Sequence, residues 1–133
     1  MASTAGTHFD KPVIENPNHI SLRPDFMILN HPVITFTDSL THQGSRQNLI
    51  GTKFFTSDDY KKRNSHQGKR IRDVGKEMSS TSLSQLQVTY KTPPTFITSA
   101  LTDKAVPVGN SLVFVTALQQ NNVPVEVFFY EKR

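Results

Sequence analysis

Cysteine is absent from the chain, and that absence removes several chemistries at once. No disulfide framework can staple it, no thiolate can act as a nucleophile, and no cysteine-based metal site can form. Long apolar runs are missing as well. Nothing approaches the ~18 consecutive apolar residues of a membrane-spanning helix, so no membrane partner is expected. Met1 to His8 lack a basic stretch followed by an apolar core, which argues against a signal peptide. The expected setting is intracellular or a virion, without secretion by a signal peptide. Apolar residues make up only 35% of the 133 positions, under the ~45–50% of ordinary globular domains. The core should be small, and part of the chain should depend on a partner.

Catalytic motifs are equally scarce. There is no G-x-S-x-G nucleophile elbow, and Gly44 and Gly51 stand alone, so no glycine loop cradles a phosphate. His8, His19, His31, His42 and His66 lie 11 residues or more apart, without the HxH or HxxxH spacing of metal ligands. Serine, histidine and acidic side chains are all present, but a hydrolase triad is defined by geometry and not by composition. On these grounds the sequence reads as a non-enzyme with no catalytic residue, no cofactor and no metal site.

Residues 1–24 read as an extended arm. Pro12, Pro17 and Pro24 punctuate it, and proline fixes φ and donates no N–H, which suits neither a helix nor a central strand. Phe9, Val13, Ile14, Ile20 and Leu22 are its candidate anchors on another subunit, docking as strand addition does. Residues 25–133 read as a single β-rich domain. Short strand signals fall at 26–29 and 33–36, at 49–55 with Gly51 as a bulge, at 86–90, and at 96–97. Leu112 to Leu118 is apolar on both parities, as a strand covered on both faces would be. Val123 to Tyr130 then closes a hairpin across Gln119 to Asn122. About seven short strands separated by turns give a mainly β fold, a small antiparallel β-sandwich of jelly-roll or immunoglobulin-like type, with at most one substantial helix.

That helix is expected within a basic insertion at about 57–78, opened by Ser57, Asp58 and Asp59. Lys61, Lys62, Arg63, Lys69, Arg70, Arg72 and Lys76 face four acids there (Asp58, Asp59, Asp73, Glu77), which leaves +3 of the chain's net +4. The segment is a candidate contact for an acidic protein surface or for nucleic acid. Together these features predict a structural or interaction protein, a small subunit of a larger assembly of other proteins or of copies of itself. A capsid or other virion shell component and a cytoskeletal or organelle-complex accessory subunit are the concrete forms. The alternative is a nucleic-acid-binding module using residues 61–76. That alternative predicts DNA or RNA binding that falls steeply with salt, with a flatter slope once Lys69, Arg70 and Arg72 are all changed to Ala. A chain that binds neither at low salt removes it.

Overall fold

A computed structural model describes residues 2–11, 15–35, 39–50 and 83–131. Helix α1 spans Ala2–Thr7 and strand β1 spans Met27–Asn30. Helix α2 covers Gln43–Ile50, and a single 3₁₀ turn covers Ser84–Gln87. Strand β2 (Thr95–Ala100), helix α3 (Gly109–Gln120) and strand β3 (Val125–Tyr130) follow. Among the described residues the three strands form one sheet in the order β1-β2-β3, and both pairings are parallel. Met27 lies beside Thr95, and Thr95 beside Val125, so the strands start level and their carboxyl ends open on one side.

Adjacent parallel strands cannot be joined by a tight turn, and α3 is the crossover between β2 and β3. Its buried residues, Asn110, Ser111, Phe114, Ala117 and Leu118, fall three or four apart and make one stripe. β1 and β2 alternate with period 2 beneath it: Met27, Leu29, Thr95, Ile97 and Ser99 are buried, while Ile28 and Phe96 point the other way. Ile34, Val88 and Val123 complete the core. At the sheet's edge, α1 lies against β1 through Gly6. A Cβ there would meet the Met27 sulfur at 1.9 Å, so the close approach needs glycine.

The antiparallel sandwich expected from the sequence, whether jelly-roll or immunoglobulin-like, is therefore replaced by a parallel sheet with helices. The decisive error lies at 112–118, which is helix and not strand. Leu112 to Val115 satisfies both periods, and only the ending distinguishes them. Asn122 takes φ 55°. The Val123 N–H donates to the Leu118 carbonyl at 2.9 Å, and that of Asn122 to the Gln119 carbonyl at 3.0 Å. These two bonds and the left-handed residue make a Schellman closure, with Val123 and Leu118 both in the core. Gln119 to Asn122 is thus a helix end and not a hairpin loop, and β3 pairs parallel with β2.

Other expectations change with it. Leu86 and Tyr90 are exposed around the 3₁₀ turn and do not line a strand face. Residues 33–35 are irregular, and Leu49 and Ile50 belong to α2. The first residues of the expected extended arm are helical, with Ser3, Gly6 and Thr7 buried. The expected helix at 57–78 lies outside the described residues.

Phe114 is fully buried where α3 meets the sheet. Phe114→Ala is expected to destabilise the fold by about 3–5 kcal/mol, measured by denaturant unfolding. A loss under about 1 kcal/mol would place the residue outside the core.

Candidate active site

The three strands deliver three polar side chains to one place. His31 follows β1 directly, Asp103 lies three residues beyond β2, and Tyr130 is the last residue of β3. The carboxyl ends of parallel strands are where open α/β sheets bind their ligands. The sheet itself sets the position of His31, whose N–H donates to the Thr98 carbonyl at 2.9 Å and carries the β1–β2 ladder one residue past the strand. Its backbone is left-handed, at φ 46°. Such conformations are uncommon outside glycine, with Asn, Asp and His enriched among the exceptions.

Asp103 is held by its own loop. Its Oδ1 accepts the N–H groups of Ala105 at 2.8 Å and Val106 at 3.1 Å, a local turn that fixes the carboxylate. Its Oδ2 lies 2.8 Å from Nδ1 of His31, an ion-pair distance without the alignment of a hydrogen bond. The side chains are 10% exposed for His31 and 3% for Asp103, so the contact is largely shielded from water. On its other side, Nε2 of His31 lies 2.5 Å from the Tyr130 hydroxyl. The two rings meet edge to face at 5.8 Å between centroids. With the Nδ1 proton toward the carboxylate, Nε2 keeps its lone pair and accepts from the phenol. Carboxylate, imidazole and hydroxyl thus stand in a row.

Behind the row, the Asn110 side chain supports the loops. Its Oδ1 accepts the N–H groups of Ile34 at 2.9 Å and Thr35 at 3.0 Å. Its Nδ2 donates to the carbonyls of Leu40 at 2.7 Å and Pro107 at 3.3 Å. Asn110 is wholly buried.

None of the residues singled out from the sequence belongs to this cluster as a site. Lys61, Lys62, Arg63, Lys69, Arg70, Arg72 and Lys76 lie outside the described residues, as do Val13 and Ile14. Phe9 is half-buried, and Ile20 and Leu22 are exposed. Asp103 carries no motif in the sequence, Tyr130 enters there only as the end of a strand, and His31 only as a histidine without metal-ligand spacing. The available signal was position: each stands at or just past the end of a short apolar segment. That signal carries meaning only once the segments are known to run parallel.

A parallel sheet with a helical crossover and an acid–imidazole pair at its carboxyl ends is an α/β-hydrolase type of arrangement. The chain belongs to the prolyl oligopeptidase family, which it matches over residues 34–133. It is 31% identical to endo-1,4-beta-xylanase B of Butyrivibrio fibrisolvens over 134 residues, covering 99% of the chain and 18% of that protein. Among solved structures it is similar to the acetyl ester-xyloside bifunctional hydrolase of Caldicellulosiruptor lactoaceticus. There the TM-score is 0.74 at 32% identity, with 99% of this chain and 42% of that one covered. A thermophilic esterase of Thermogutta terrifontis shares the fold at 18% identity and TM-score 0.59, with 98% of this chain and 42% of that one covered. The chain thus spans well under half the length of these relatives.

These likenesses overturn the expectation of a non-enzymatic structural subunit. The relatives named above are hydrolases, which supports neither a capsid or virion role nor a cytoskeletal one. Among the described residues, no helix is long and apolar enough to cross a membrane.

Asn110→Ala removes the acceptor from two backbone N–H groups in a buried segment and a donor from two carbonyls. Each buried group left unsatisfied costs about 1–3 kcal/mol. The expected result is a clear loss of stability in denaturant unfolding, with faster hydrogen exchange at Ile34 and Thr35. Unchanged exchange at those amides would show that the bonds do not hold the segment.

Proposed function

We propose that this chain contributes the acid of an ester-hydrolysing site acting on acylated, xylose-based carbohydrate. The observation that carries the reading is Asp103: a buried carboxylate on the loop leaving a parallel strand, with one oxygen pinned by two backbone N–H groups and the other facing an imidazole Nδ1. In a serine–histidine–acid triad the acid has that task. It holds the imidazole in one tautomer and stabilises the imidazolium formed when the serine proton is taken, without becoming protonated itself. A carboxylate free to rotate would do neither well, so the Ala105 and Val106 amides are part of the device.

Ester chemistry is favoured by the company the chain keeps, since one relative is named for acetyl ester and xyloside hydrolysis and another as a xylanase. The order of the parts bears on how the site is completed. In α/β-hydrolases a serine elbow precedes the acid and a histidine follows it. The five histidines of this sequence all precede Asp103, and it contains no G-x-S-x-G. His31 is the imidazole that faces Asp103 among the described residues.

The test exchanges this chain for the matching stretch of the Caldicellulosiruptor hydrolase and follows hydrolysis of 4-nitrophenyl acetate and acetylated xylo-oligosaccharides. The chimera is expected to turn over both. Asp103→Asn in it is expected to lower kcat by about 10⁴-fold with an unchanged melting temperature. Undiminished turnover by a folded Asp103→Asn chimera would contradict the assignment.

A further inference from the structure

The row of side chains at the strand ends ends on a phenol and not on a serine. We propose that Tyr130 is itself a nucleophile, an acyl acceptor that takes the acyl group of an activated ester with His31 as its base. Three observations support this. First, the Tyr130 hydroxyl lies 2.5 Å from Nε2 of His31, within the reach a general base needs of the proton it removes. Second, Nδ1 of the same ring lies 2.8 Å from the Asp103 carboxylate, a third group placed to orient the base. Third, Phe128 stacks on the Tyr130 ring at 6.1 Å between centroids and is itself exposed, so an apolar or aromatic group can rest beside the hydroxyl.

A nucleophile, a base in contact with it and a third group orienting the base form the arrangement by which weak nucleophiles are activated. A neutral hydroxyl is a weak nucleophile, so removing its proton during attack is the step on which its reactivity depends. The step balances. The Tyr130 oxygen bonds to the ester's carbonyl carbon, and that carbon's bond to the leaving oxygen breaks. The leaving group departs as an alkoxide or phenolate, and the Tyr130 proton passes to Nε2 of His31 and from there to the leaving group or to water. The product is an aryl ester at Tyr130, stable enough to be found and reactive enough to pass its acyl group on.

The proposal uses the same acid and imidazole as the ester-hydrolase reading but does not rest on it. Adduct formation needs only these three side chains and the 133-residue chain. A chimera without turnover leaves it standing, and an unmodified Tyr130 leaves the chimera result standing.

Tyr90 is the internal control. It is 76% exposed, against a half-buried Tyr130, and among the described residues no hydrogen bond joins it to an imidazole. The experiment treats the chain with 4-nitrophenyl acetate near neutral pH, quenches in acid, and measures acetylation at Tyr130 and at Tyr90 by peptide mass spectrometry over time. General-base assistance contributes about 10²–10⁴-fold, so Tyr130 is expected to react at least about tenfold faster than Tyr90 despite its lower exposure. His31→Asn keeps a residue that tolerates the left-handed backbone but carries no base, and it is expected to bring the ratio to about one or below. Tyr130→Phe removes the adduct at that peptide. A wild-type ratio under ten overturns the proposal, and so does an unchanged ratio in a folded His31→Asn variant. Should that variant not fold, the wild-type ratio decides alone.

Discussion

The side chain of Asn110 makes four hydrogen bonds that join segments on both sides of the crossover. Its carbonyl oxygen holds the main chain at Ile34 and Thr35, and its amide nitrogen holds the carbonyls of Leu40 and Pro107. Those segments come from opposite sides of the crossover: the stretch after β1 and the loop that opens α3. Asparagine suits the position because it can donate and accept at once, at bond angles that an apolar residue of similar size cannot supply. The Ile34 and Thr35 amides are buried with the Asn110 side chain, and a buried N–H without an acceptor is costly. The loops leaving β1 and β2 therefore converge, and that convergence brings His31 and Asp103 together.

The sequence made some of this legible. The short apolar segments at 26–29, 96–97 and 123–130 overlap the three strands, because β-branched and aromatic residues with period 2 fit a half-buried sheet face. The relation between them was not legible. Val113, Phe114 and Val115 are as suitable for a buried strand as for a buried helix, and periodicity cannot separate the two when every face is apolar. The information sat instead in Asn121-Asn122, which reads equally well as a turn between strands and as a helix ending in the left-handed region. That single ambiguity turned a crossover into a hairpin and a parallel sheet into an antiparallel one.

The site was lost by the same route. In an antiparallel sheet, successive strand ends alternate between opposite edges, so His31, Asp103 and Tyr130 would have had no reason to meet. Spacing could not reveal them either, since 99 residues separate His31 from Tyr130. Asp103 belongs to no motif in the sequence, and the G-x-S-x-G test, applied to a stretch that covers 42% of a solved hydrolase, asks for a part that need not lie there. The comparison with relatives restored what composition had hidden: a low apolar fraction and few motifs describe this stretch, not the chemistry of the family.

The left-handed backbone at His31 also bears on how this position can change over generations. Most replacements there would strain the chain, and the small residues that fit the conformation with ease, Gly, Asn and Asp, carry no imidazole. Substitution at position 31 can thus preserve the fold while removing the base, but it cannot exchange one comparable base for another. Architecture and reactivity are under separate selection at this residue. A lineage could lose the chemistry there and still inherit an intact sheet.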